Sequence, residues 1–156
     1  MNPLPHQYDI TLRSESGPYA TARLLGVRDL RCAPPVEFGG PGDAWSPEHL
    51  LLAAVQSCYL FTLRAIARAS NVDLVECEIE TAGTVDRCDG VTRFVQITLR
   101  PIVTVASGTD ELRIRWLLDK AQKACLVSAS LATPVRLEAG VAFKGRASLE
   151  PATVGG

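Results

Sequence analysis

The chain has 156 residues, sixteen Lys and Arg against seventeen Asp and Glu, a net charge of −1, and 47% hydrophobic residues. That length suits a single domain, 1–156, able to bury about 70% of its unfolded surface. The balanced charge, without a basic run, excludes a nucleic-acid or anionic-membrane surface as the basis of function.

The start, MNPLPHQYDI, lacks the basic and apolar regions of a signal peptide, and residues 1–6 are expected to be loose. Tyr8 to Arg13 alternates apolar and polar positions like a strand, SESGP supplies a turn, and YATARLLGV resumes the pattern, so a first hairpin is expected. Asp29 to Cys32 is a short third strand ended by Pro34 and Pro35, and Phe38 to Trp45, FGGPGDAW, is a shaped loop.

Ser46 to Asn71 follows as one long helix. Ser46 suits the N-cap, Pro47 the first helical position, and Glu48 the positive helix end. From Leu50 to Ile66 apolar residues fall on nearly every face, which predicts a buried central helix. Glu48, His49, Gln56, Ser57 and Arg64 interrupt it too often for a membrane span.

Val72 to Val85 reads as a half-buried strand with Val75, Cys77, Ile79 and Thr81 on one face and Glu76, Glu78 and Glu80 on the other. Asp86 to Gly90 is the turn, and Val91 to Ala106 returns, with a bulge, edge or break expected at Pro101. A helix begins near Asp110 and places Ile114, Leu117, Leu118, Ala121 and Cys125 on one inward face. Pro134 to Lys144 closes with one last strand, and 148–156 is a frayed tail. The order βββ-α-ββ-α-β makes an α+β domain.

Five cysteines, an odd number without CxxC or a Cys/His cluster, signal neither a disulfide framework nor a metal site and point to a reducing, cytoplasmic setting. With only His6 and His49, chemistry falls to thiols or carboxylates. A hydrolase using Cys58 lacks a matching base, because His49 sits near the start of the same helix. Cys58 and Cys125 lie one on each helix; a free cysteine is commonly a small core hydrophobe, so a redox pair and a structural pair are both open on position alone.

The stretch PPVEFGGPGDAWSPEHLLLAAVQSCY, Pro34 to Tyr59, followed by AQKACLVS, Ala121 to Ser128, resembles the OsmC/Ohr family of osmotically inducible and organic-hydroperoxide-resistance proteins. The shared parts are the FGG loop, the SPE helix start, the LLLAA run ending in a first Cys, and a second Cys followed two residues on by Val-Ser. The resemblance implies antiparallel sheets around the long helix and an intertwined homodimer. It implies a peroxidase acting on organic hydroperoxides in oxidative stress defence, with Cys58 the thiolate that becomes a sulfenic acid and Cys125 the thiol that closes the disulfide. The family is reduced by external dithiols, lipoyl groups in the best-known branch, and uses no metal or bound cofactor.

A thiolate needs a nearby cation. The hydroperoxide-resistance branch supplies an Arg from the first hairpin, held by the Glu at the SPE position, here Glu48. The expected Arg falls near Gly17, and among Arg13, Arg23 and Arg28 the reading favours Arg13. Ten residues of straight helix separate Glu48 from Cys58 by about 15 Å, so Glu48 would orient an Arg or act from the partner subunit. Leu51, Val55, Phe61 and Trp45 are the expected apolar lining. Without the Arg, the alternative is a non-catalytic or redox-sensing dimer with structural thiols.

Overall fold

The computed structural model describes residues 3–145; the expectations for Met1, Asn2 and the tail at 148–156 lie outside the described residues. Contacts within the chain fall into two compact units, one ending at Leu51 and the other beginning at Leu52.

The first unit holds an antiparallel sheet, β1 (Thr11–Ser14), β2 (Ala20–Arg23) and β3 (Leu30–Cys32), in that order. The first strand is shorter than its alternation suggests. Thr11 pairs with Arg23, the last residue of β2, after which Leu24 and Val27 close a turn and leave Tyr8 to Ile10 no strand to pair with.

After β3 a 3-10 turn at Val36–Phe38 leads into the two glycines of the FGG loop. Gly39 adopts φ 78°, a left-handed conformation that favours glycine. Gly40 donates to the Pro35 carbonyl at 2.9 Å, and a Cβ there would fall 1.7 Å from the Pro34 oxygen, so no other residue fits. The helix start behaves as its sequence predicts: Ser46 Oγ accepts the His49 N–H at 3.2 Å and lies 2.8 Å from His49 Nδ1.

The long helix α1 (Pro47–Ala69) is unbroken. By length and composition it could cross a membrane, with a mean hydropathy of 1.6. Its fully buried residues are Val55, Tyr59, Leu63 and Ala67, four apart, a single stripe set into the core of the second unit. Of the apolar faces expected to be buried, this chain covers that stripe; Phe61 is 63% exposed.

The core of the second unit forms where this stripe meets the inward residues of the central strand and the next helix. β4 (Leu74–Cys88) and β5 (Val91–Val105) make a long antiparallel hairpin. Its turn is only Asp89 and Gly90, both at positive φ, 53° and 79°, as a two-residue hairpin turn requires; strand pairing therefore continues through Asp86 to Cys88, where a longer turn was expected. A register shift between Leu74 and Glu76 leaves Val75 unpaired and exposed, so Leu74 rather than Val75 joins Cys77 and Ile79 against the core.

Ile97, Leu99, Pro101, Val103 and Val105 alternate inward along β5 and are buried. Opposite them lie Ile114, Leu117, Leu118 and Ala121 of α2 (Glu111–Ala124), whose N-cap Asp110 accepts the Leu112 N–H at 3.0 Å. The short helix α3 (Leu126–Ala129) follows.

The last segment departs from its predicted single strand. It forms two, β6 (Val135–Leu137) and β7 (Gly140–Phe143), both parallel to β5, so the second sheet is mixed rather than antiparallel. The break lies opposite Pro101: β6 ends at the Leu99 register and β7 begins at Ile102, so the missing proline N–H falls where the partner strand changes. Arg100 spans this handover, donating to Glu138 at 2.8 Å and to Glu80 at 3.1 Å.

Candidate active site

Cys58 stands one residue before Tyr59 of the buried stripe, so its side chain leaves the core edge half-buried. Cys125 was expected on the inward face of a helix. It is fully buried, but it lies between helices, in an extended conformation that ends α2 and starts α3. Its N–H donates to the Gln122 carbonyl at 3.2 Å, and its own carbonyl accepts the Ala129 N–H at 3.0 Å, which fixes the backbone on both sides.

Both cysteines are free thiols, and they lie close enough for Cys58 to act on the Cys125 thiol. Burial pushes the Cys125 thiol up; the hydroxyl and backbone N–H of Ser128 oppose that, and the adjacent Cys58 adds to it. Ser128 Oγ donates to Cys125 Sγ at 3.2 Å. Thus the Val-Ser that follows the second cysteine carries a direct partner of its sulfur, a role the sequence reading did not assign. The three-residue spacing into a new helical turn was the available signal.

Tyr59 is a second residue whose role its sequence context does not signal. Its hydroxyl donates to the Leu118 carbonyl at 3.3 Å and ties α1 to α2 beside the two thiols. Burial first, then Cys77, Asp119 and Cys125, hold it firmly protonated. Cys77 itself faces the core from β4; burial raises its pKa while the guanidinium of Arg64 opposes the rise.

Glu48 and Arg13 belong to the first unit. Glu48 occupies the first turn of α1, and its Oε2 is buried without a hydrogen-bond partner. Since α1 is unbroken, Glu48 and Cys58 stay ten residues apart along one helix, about 15 Å at the usual rise. Arg13 lies in β1 opposite Thr21, in a cleft shared with Glu15, Arg23 and Asp29, and no ion pair joins it to Glu48. The other arginines of this hairpin region are partly engaged: Arg23 pairs with Asp29 at 2.9 Å, and Arg31 lies 3.6 Å over the Tyr19 ring and 3.7 Å from Asp43. Of the expected lining residues, Val55 is core, whereas Phe61 and Trp45 are exposed. Among the described residues no cluster of His, Cys, Asp and Glu is arranged to hold a metal ion.

What this arrangement offers is a reachable thiol beside a buried one, on separate elements of one core. The profile of the OsmC-like protein family matches residues 40–139, more than half of the chain and inclusive of both cysteines. The chain is 31% identical over 113 residues to the uncharacterized protein YmaD of Bacillus subtilis, covering 70% of this chain and 75% of that one. It is 29% identical over 99 residues to an organic hydroperoxide resistance protein of Xanthomonas axonopodis pv. citri, covering 62% and 67% of the two. The fold matches an OsmC-like protein from Mycoplasma pneumoniae with a TM-score of 0.77 at 18% identity, over 89% of this chain and 99% of that one. The chain therefore belongs to the OsmC/Ohr family, a family linked to organic hydroperoxide resistance.

Proposed function

We propose that this protein is a cytoplasmic, homodimeric thiol peroxidase that reduces organic hydroperoxides through Cys58 and Cys125. The observation that carries the reading is the pairing of a partly buried Cys58 with a fully buried, free Cys125 as its neighbour. The Cys58 thiolate attacks the distal oxygen of the hydroperoxide; the O–O bond breaks, the alcohol leaves with a proton, and Cys58 becomes a sulfenic acid. Cys125 then attacks that sulfur, water leaves, and a disulfide forms. An external dithiol, lipoyl or similar, restores both thiols, so neither metal nor bound cofactor is required.

The N-terminal unit supports the homodimer. Leu4, Tyr8, Ile10, Leu12, Leu24 and Leu25 are all more than half exposed, an apolar surface that a second copy would cover. The orphaned Glu48 Oε2 fits the same reading, since a buried carboxylate oxygen calls for a donor such as an arginine, and Arg13 is the favoured candidate.

A second reading, a redox-sensing or non-catalytic dimer, is favoured by the lack of a basic residue near Gly17, where the resemblance to the hydroperoxide-resistance branch leads one to expect an Arg. Stopped-flow oxidation with cumene hydroperoxide and with hydrogen peroxide separates the two. The peroxidase reading expects wild type to consume cumene hydroperoxide faster than hydrogen peroxide and Cys58→Ser to fall to background. Wild type no faster than Cys58→Ser would leave the sensing or structural reading.

A further inference from the structure

Cys58 and Cys125 differ in reach. Cys58 is only partly buried, while Cys125 has no exposed surface and is held by backbone hydrogen bonds at the α2–α3 junction. Once a disulfide joins them, an incoming thiolate can approach the Cys58 sulfur but not the Cys125 sulfur. Attack at Cys58 expels Cys125 as a thiolate into a buried site, which by itself disfavours the charge. Among the described residues Ser128 counters this: its hydroxyl donates to the sulfur at 3.2 Å, and its backbone N–H also favours the thiolate.

From this geometry we propose that Ser128 is the positioning residue for the buried half of the cycle, and that the reductant attacks Cys58 and releases Cys125. The proposal rests on the peroxidase reading for its biological setting, though its chemistry is testable without a peroxide. In the closing step Ser128 favours the thiolate of Cys125, which attacks the sulfenic sulfur of Cys58; the S–O bond breaks, and the hydroxide takes up the proton to leave as water. In the reopening step a small thiolate attacks Cys58, the S–S bond breaks, and Cys125 departs as the thiolate that Ser128 holds until it is reprotonated. The second thiol of a dithiol then displaces Cys58 and closes its own disulfide. A better-stabilised Cys125 thiolate forms more readily to attack in the closing step and departs faster in the reopening step, so both steps depend on the same hydroxyl.

The test begins with the disulfide made by diamide, which accepts the two hydrogens of the thiols. Reduction by 2-mercaptoethanol, quenched early with acid, then unfolded, alkylated and peptide-mapped, should place the mixed disulfide on Cys58 and the alkyl group on Cys125. Ser128→Ala should slow both diamide closure and reduction by about tenfold, and Ser128→Thr, which keeps the hydroxyl, should restore them. In a Cys58→Ser background the pH profile of the ultraviolet thiolate absorbance should lose a component, shifted to higher pH, with Ser128→Ala.

A mixed disulfide on Cys125 would overturn the proposal. So would a Ser128→Ala protein that closes and reopens like wild type, a Ser128→Thr protein that stays slow, or no disulfide with diamide. A wild type that closes and reopens in this way but ignores hydroperoxides would overturn the peroxidase reading alone.

Discussion

The two units of this chain solve the burial of their apolar residues differently. The unit beginning at Leu52 closes its own core: the stripe of α1, the inward face of β5 and the face of α2 leave Tyr59, Leu63, Leu99, Leu117 and Leu118 with 1% exposure or less. The unit ending at Leu51 does not, since its three short strands leave Leu25 101% exposed and Tyr8 87% exposed. A chain that seals one unit and leaves the other apolar and open has placed its self-sufficient core around the thiols and its unmet surface elsewhere. The orphaned carboxylate oxygen of Glu48 belongs to the open unit, the satisfied sulfur of Cys125 to the sealed one.

The strongest way to break that contrast is a cavity in the sealed core. Leu118→Ala should cost about 2–5 kcal/mol in chemical denaturation, through lost transfer free energy and an unfilled void; a cost near zero would mean the core does not carry the stability assigned to it. Next in size, and resting on the proposed homodimer, Leu25→Ser should weaken self-association by about tenfold in analytical ultracentrifugation, because one fully exposed leucine contributes roughly 1.5–3 kcal/mol when covered. An unchanged association constant would remove the open unit from the interface.

Tyr59→Phe is smaller. It deletes the hydrogen bond to the Leu118 carbonyl while keeping the ring, and should cost about 1 kcal/mol in the same denaturation experiment.

The pH dependence sharpens the contrast from the side of charge. Burial raises the thiols of Cys125 and Cys77, so the folded protein keeps protons that the unfolded chain gives up. Their contribution to stability is complete below the ordinary thiol pKa of about 8.5 and is lost as pH rises through the raised values. Denaturation midpoints should therefore fall above that pH, and Cys125→Ser should flatten the fall. Midpoints that stay level from neutral to alkaline pH would contradict the burial assigned to these sulfurs.

Much of the fold was legible in the sequence because local chemistry decided it. Ser46, Pro47 and Asp110 mark helix starts through caps that form in the structure, and FGG marks a loop whose two glycines are each required for a separate reason. What was not legible depended on pairing at a distance. The bulge at Val75 is set by the register of β4 on β5, and the split into β6 and β7 by the point where β5 changes partners beside Pro101.

The site divides in the same way. Both cysteines could be singled out from the helix pattern and the family motif, but helical periodicity carried Cys125 one residue too far along α2, past the break that gives its sulfur to Ser128. Tyr59 read as plain core because nothing in the sequence shows that its hydroxyl meets the Leu118 carbonyl.

The central claim is that Cys58 and Cys125 form one redox couple. Treating the reduced protein with one equivalent of cumene hydroperoxide, then measuring intact mass and mapping peptides without reduction, tests it most directly. The account predicts a mass lower by two hydrogens and a single linked peptide pair containing Cys58 and Cys125. An unchanged mass, stable oxygen addition at Cys58 without a disulfide, or a linkage through Cys32, Cys77 or Cys88 would contradict it.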